Sequence, residues 1–362
     1  VTYLLGIVSL GLLVALHELG HFWAARAFGI SVLRYSIGFG PPIFTWKRGE
    51  TAYTLGALPL GGFVRIHGMS AQEEGVSVKD TRTFIAQRPW RRIVVLAAGS
   101  ALNYALALCL LWGLYLGGTH VAEPMMIGQV DPGSEAARAQ LRPGDRVLAL
   151  NGAPARTWSD LVERVNDSPG ETLRLDILRG DETREVTVVP RADEDGVGHI
   201  GVAQQYVYRE LGPLAAAGQA VQHANLLVTD GVRLISRLVR GRPGASLSTP
   251  IVIVKQASDA AASGTDAFLR MLASISVALA IFNLLPVPAL DGGRIVFSAV
   301  EALTGRRVSS ELETVIHAVG FIALLVLLAF VAFRDVRGLL APKRGAALAV
   351  LSDAGSAADA GR

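Results

Sequence analysis

Two histidines and a glutamate stand inside an apolar run that would be costly to fold with them unless they were used. Leu4 to Leu16 is almost wholly apolar, His17-Glu18-Leu19-Gly20-His21 follows, and Phe22-Trp23-Ala24-Ala25 continues the run. Tyr3 to about Phe28 is long enough to cross a hydrocarbon core of roughly 30 Å as one helix. Residues i and i+4 share a helix face, so both imidazoles can reach a single metal ion. Glu18 lies one step round, where its carboxylate can take a proton from a water activated by that metal. A bare H-E-x-x-H string matches by chance in many proteins. Here the apolar setting removes the explanation of a solvated surface, because ionisable groups at membrane depth are expensive and mark function.

Composition agrees with a membrane setting. The 362 residues are 51% hydrophobic and only 18% charged, which is too apolar for one ordinary soluble domain. A polytopic α-helical membrane protein with soluble insertions is expected. The single Cys109 excludes a disulfide framework within the chain and any cysteine-rich zinc site. A formal net charge of +3, carried by basic loops, fits a membrane surface and gives no ground for a nucleic-acid partner. No basic stretch or small-residue cleavage site accompanies the first apolar segment, so it reads as a retained span (1–28) and not a removable leader.

Taken in order, residues 29–92 form a loop region. Ile30 to Gly68 alternates apolar and polar residues among many glycines, which reads as β-hairpins. Such a sheet beside the histidine helix could receive an extended peptide by edge pairing; a plain cytoplasmic loop is the rival reading. Met69 to Arg92 is basic, with Lys79, Arg82, Arg88, Arg91 and Arg92. A second span covers 93–118 and contains Gly99-Ser100-Ala101-Leu102-Asn103. Its small residues allow close helix approach, and Asn103 there needs a hydrogen-bond partner, for packing or for a site. Residues 121–205 read as a separate α+β unit of alternating strands, a short helix opening at Ser134 and an amphipathic helix at Trp158 to Asn166. Residues 206–266 are an amphipathic linker with helical spacing from Gly218 to Arg240, a break at 241–244 and a short extended piece from Leu247. The fourth span is expected at 314–333, and the tail 334–362 is expected to be disordered. His67 and His317 are read as bystanders, not ligands.

The third span lies within 267–304. It is broken by Asn283-Leu-Leu-Pro-Val-Pro-Ala-Leu-Asp-Gly-Gly-Arg. Irregular backbone at membrane depth is tolerated where protein buries it or where it lines a cavity. Asp291 sits in that break, where an unpaired carboxylate would be very unfavourable and coordination to a cation would relieve it. Capping of the following helix is the competing role. His17, His21 and Asp291 together make a two-nitrogen, one-oxygen set that suits Zn2+ with an open fourth position. Asn283, just before the break, could hydrogen-bond substrate backbone.

This combination resembles the RseP-type site-2 proteases, a family of bacterial intramembrane zinc metalloproteases. The resemblance runs over nearly the whole chain. It rests on His17-Glu18-Leu19-Gly20-His21, Gly38-Phe39-Gly40, Arg88 to Asn103 and Asn283 to Gly293. It rests also on the 121–205 unit, whose Gly133-Ser-Glu-Ala-Ala, Leu141-Arg-Pro-Gly-Asp and Leu150-Asn-Gly strings resemble a bacterial PDZ domain. The chain departs from many relatives in having Gly99-Ser100 where they have Gly-Pro, Thr249-Pro250-Ile251-Val252 where they often have Gly-Pro-Ile-Gly, and one PDZ domain where some have two. The family implies about four transmembrane helices, a β-rich membrane-associated loop and one inserted PDZ domain. It implies zinc on His17, His21 and Asp291, with Glu18 as the general base. Asn283, Gly38, Phe39, Gly40 and Asn103 are the candidate substrate-binding residues. Expected partners are the lipid bilayer, transmembrane protein substrates already trimmed by another protease, and a peptide or C-terminus at the PDZ domain. The setting is the bacterial inner membrane, with the PDZ domain outside and the active site towards the cytoplasm. Basic residues between spans one and two, and Arg306 and Arg307 between spans three and four, agree with that orientation; the basic tail does not.

Two other classes remain in view. A membrane-bound PDZ adaptor with a non-catalytic metal site has no use for Glu18. A metal or proton transporter would show paired repeats, and none is visible.

Overall fold

The computed structural model describes residues 2–69, 80–193, 196–241 and 249–340. Lys79, most of the break after Gly241 and residues 341–362 therefore lie outside the described residues. Chain order begins with α1 (Thr2–Ala27), β1 (Val32–Arg48), β2 (Thr51–Ile66) and α2 (Pro89–Leu116). An α+β unit follows: β3 (Thr119–Val130), α3 (Glu135–Arg138), β4 (Arg146–Leu150), β5 (Ala153–Pro154), α4 (Trp158–Asn166), β6 (Leu173–Arg179), β7 (Glu182–Val188), β8 (Arg191–Ala192), β9 (Gly198–His199) and β10 (Val202–Arg209). Five helices complete the chain: α5 (Pro213–Val239), α6 (Pro250–Ser263), α7 (Thr265–Leu284), α8 (Asp291–Thr304) and α9 (Ser310–Leu340).

Among the described residues four helices, α1, α2, α7 and α9, are long and apolar enough to cross a membrane. Their apolar residues run round the whole helix, as a lipid or protein environment on every side requires. α2 is the hub, touching α1, α5, α7 and α8. It opens with Pro89 in its first turn, where a missing N–H breaks no helical bond. α1 and α2 cross backbone to backbone: a Cβ on Gly20 would collide with the carbonyl of Ala98. Small residues at such crossings replace the hydrophobic drive that lipid cannot supply. α9 is the most peripheral span, with 11% of its apolar window buried against 39% for α1.

β1 and β2 fold back on themselves into four antiparallel segments. Residues 32–37 pair with 62–66 on one side and with 52–55 on the other, while 42–48 pair with 51–56. The spatial order is 42–48, 51–56, 32–37, 62–66, so 62–66 forms one edge. Gly38 and Gly40, at φ +85° and +84°, make the bend after 32–37 in a left-handed conformation that side chains resist. The inner segments are anchored on α1 and α2 through Ile30, Val32 and Ile66, which pack with Phe22, Ala25, Val95 and Leu96. Tyr35 Oη also donates to the Ala15 carbonyl at 2.7 Å. Ile43, Phe44 and Trp46 at the far end are exposed.

The α+β unit has one six-stranded antiparallel sheet with path β10-β3-β4-β6-β7 and β5 paired to β4, leaving β10 at an edge. Ile127, Leu150, Leu161, Leu175 and Ile177 form its core. Ser134 and Thr157 cap α3 and α4 by accepting from Ala137 N and Asp160 N. Inside the unit Arg179 holds Asp145 with two bonds of 2.7 Å. α5 ties the unit to the membrane helices. Ala216, Ala220 and Ala224, spaced by four, bury one smooth stripe against α2 and α7. On its other side Arg233 pairs with Asp160 at 2.5 Å and Arg237 with Asp167 at 2.9 Å, both on or next to α4.

Two segments differ from the sequence expectation. The extended piece after Leu247 is helix α6 from Pro250, where proline favours a first helical turn. α6 packs on α1, with Val254 and Ala257 against Gly6, so this part of 206–266 belongs to the helical core. The tail does not lose order at 334, because α9 carries its backbone hydrogen bonding on to Leu340.

Candidate active site

α1 places His17 and His21 one turn apart, with their Nε2 atoms 3.1 Å from each other. Asp291, 274 residues away from His17, brings Oδ2 to 3.1 Å from His17 Nε2 and 3.2 Å from His21 Nε2. Both histidines are buried. Among the described residues these three are the group able to hold a metal ion. The donor set fits zinc: ligands at a tetrahedral ion with bonds of about 2.0–2.1 Å stand about 3.3 Å apart, close to the spacing here, and three protein ligands leave one position open.

The surroundings orient each ligand. His21 Nδ1 donates to the Val95 carbonyl at 2.8 Å. A carbonyl only accepts, so the proton sits on Nδ1 and the lone pair on Nε2. Gly99 of α2 lies over both rings; a Cβ there would be 2.7 Å from His17 Cε1 and 2.8 Å from His17 Nε2. Asp291 is the first residue of α8, with Leu290 and not Asp291 at the N-cap. The capping alternative therefore does not describe it, although the positive helix end favours its charge. Gly292 and Gly293 let α8 press against the carbonyls of Leu284, Leu285 and Val287. At the other end of α8, Glu301 is ion-paired with Arg92 of α2 and with Arg307 at 2.8 Å. The broken third span is thus clamped at both ends, and Asp291 is carried to the histidines by that clamp.

Glu18 points to the sheet. Its Oε2 accepts from Val64 N at 3.0 Å, on the edge segment 62–66. Gly38, Phe39 and Gly40 lie at the bend of the same sheet, where Phe39 stacks on Phe63 with centroids 6.2 Å apart. Asn283 is half-buried in the last turn of α7, and its side chain makes no hydrogen bond among the described residues. Asn103, expected among the substrate-binding residues, is fully enclosed and faces His17 instead: Nδ2 is 3.4 Å from His17 Nδ1. His67 lies 4.0 Å from Asp80 and His317 accepts from Ala289 N, so both stand apart from the cluster. Sequence reasoning missed the Val95 carbonyl and the Arg92–Glu301 clamp. A backbone carbonyl has no residue signature, and two charges 209 positions apart give no local pattern.

Two imidazoles, a carboxylate and a neighbouring glutamate within a helical membrane frame define the class, a membrane-embedded metalloprotease. Peptidase family M50 matches residues 5–327, and the chain belongs to that family, the site-2 proteases. It is a zinc metalloprotease and a multi-pass membrane protein. Zinc metalloprotease RasP of Geobacillus kaustophilus is 31% identical, over 91% of this chain and 96% of its own. Regulator of sigma-W protease RasP of Bacillus subtilis is 30% identical, over 92% and 97%. Among solved structures, the PDZ domain of the SdrC-like protein of Listeria monocytogenes aligns with 23% of this chain and 90% of its own, at 17% identity and a TM-score of 0.21.

Proposed function

We propose that this metalloprotease cuts single-span membrane proteins inside the bilayer after another protease has trimmed them, anti-sigma-factor-like proteins and signal-peptide remnants being the substrate class. The carrying observation is the convergence of His17 Nε2, His21 Nε2 and Asp291 Oδ2 at 3.1–3.2 Å beside a glutamate that already touches a sheet edge. Those three side chains would hold zinc. Bound there, zinc supplies Lewis acidity, polarising a peptide carbonyl and lowering the pKa of a water. Glu18 takes the proton from that water and hands it to the leaving amine.

The sheet edge gives the substrate its shape. A helical peptide bond is shielded and already hydrogen-bonded, so the substrate must be extended before attack. An extended strand laid along 62–66 would pair with backbone N–H and C=O groups and run past Glu18. Asn283 would hydrogen-bond the substrate backbone from the opposite element. Gly38, Phe39 and Gly40 shape the bend that sets the edge in place. A cleaved C-terminus would bind in the cavity of about 510 Å³ between α4 and α5, walled by Trp158, Val162 and His199 on one side and Leu234 of α5 on the other. The inner membrane is the proposed location, with this unit outside and the zinc end towards the cytoplasm.

The deciding experiment is cleavage of a pre-trimmed single-span substrate in liposomes by the wild type and by Glu18→Gln, with zinc measured in both. Cutting lost in the variant while zinc stays supports Glu18 as the base. Equal cutting by both refutes that role, and an intact metal site with no cutting of any pre-trimmed substrate by the wild type favours the adaptor reading.

A further inference from the structure

His17 and His21 are held differently on the side away from Asp291. His21 Nδ1 meets the Val95 carbonyl, an acceptor alone, at 2.8 Å. His17 Nδ1 meets the side-chain amide of Asn103, which carries both a donor and an acceptor. In the structure Nδ2 faces the ring, and Asn103 Oδ1 has no hydrogen-bond partner although it is fully buried. A buried amide oxygen left without a partner is destabilising and calls for a reason. Ser276 Oγ donates to the Asn103 carbonyl at 2.8 Å, so α7 fixes the backbone here and leaves the amide free to turn.

With Nδ2 towards the ring, His17 Nδ1 accepts and Nε2 carries the proton, directed at Asp291 Oδ2 at 3.1 Å. A ligand histidine needs the opposite arrangement: the lone pair on Nε2 and the proton on Nδ1, donated to an acceptor. Turning the amide by half a rotation supplies that acceptor with no change of side-chain shape. We propose that Asn103 is a positioning residue of the zinc site, whose amide oxygen accepts the Nδ1 proton of His17 and so leaves the Nε2 lone pair to the metal. This rests on the reading of His17 as a zinc ligand. It assigns unequal parts to the two histidines: His21 is set in its ligating form by the fold, and His17 is set by Asn103.

The test uses the full chain in detergent, with zinc affinity measured by chelator competition and the visible bands recorded after cobalt substitution. Asn103→Leu keeps the shape and removes the acceptor; Asn103→Asp keeps an acceptor. The expected result is a 10–100-fold loss of zinc affinity for Asn103→Leu, with shifted cobalt bands. Asn103→Asp should bind at least as tightly as the wild type, with the wild-type bands. The proposal is overturned by Asn103→Leu holding zinc within twofold of the wild type with unchanged bands, or by equal weakening in both variants. A wild type that retains no zinc overturns the zinc-site reading itself, and the Asn103 role falls with it.

Discussion

Replacing Gly99 by alanine should disable the site by geometry alone. The added methyl carbon would lie 2.7 Å from His17 Cε1 and 2.8 Å from His17 Nε2, with His21 Nε2 also in contact. Carbon atoms rest at about 3.5–4.0 Å, so relief demands a movement of about 0.7–1.3 Å. The nearest atoms belong to the two rings, and both are already pinned, His21 by Val95 and α1 as a whole by the Gly20–Ala98 crossing. Metal–ligand distances tolerate about 0.2 Å, and a misplacement near 1 Å costs roughly 100-fold in rate. Overpacking should also lower stability by about 1–3 kcal/mol. Zinc per chain and cleavage rate would be measured for Gly99→Ala. Gly113→Ala on the same helix is the control, since nothing lies within 4 Å of a Cβ there. Gly99→Ala with full zinc and wild-type cleavage, or Gly113→Ala with the same loss, would refute the steric argument.

Two more expectations concern other parts of the chain. Asn283→Ala should lower kcat/KM by about 5–30-fold, the loss of one or two substrate hydrogen bonds, with zinc content unchanged; a loss of zinc would instead make Asn283 part of the metal frame. In the α+β unit, burial pushes the Asp145 carboxyl up, but the bonds from Arg179 and Arg142 N outweigh it and hold Asp145 below its usual range. A carboxyl depressed on folding stabilises above its unfolded pKa of about 3.9, and that stability is lost as pH falls through the lower folded value. Arg179→Leu should therefore move acid loss of hydrogen-exchange protection at Leu150 and Ile177 to higher pH, and an unchanged acid profile would contradict the pairing.

Much of the site was legible because its chemistry uses rare residues in rare places. Histidine, glutamate and aspartate in apolar spans stand out against leucine and valine, and the i, i+4 spacing of His17 and His21 follows from helical periodicity. Pro286, Pro288 and the glycines after Asp291 marked a break at membrane depth. The helix at α6 was misread since a short β-branched run looks the same in a strand and in a buried helix. Asn103 was visible as a polar group in need of a partner, but its partner could not be named from the sequence.

The sequence alone determined the four apolar helices, the glycine-rich alternating segment, the α+β unit and the residue types able to hold zinc, because each is a local pattern of polarity and period. Tertiary structure decided which of those residues meet. It brought Asp291 to within 3.2 Å of both histidines through a helix clamped by Arg92 and Glu301, and it turned Glu18 to a sheet edge at Val64. It also buried Asn103 against His17. These are long-range contacts, fixed by helix crossings that depend on the absence of a side chain at Gly20 and Gly99, and space left empty carries no chemistry that a linear reading can assign.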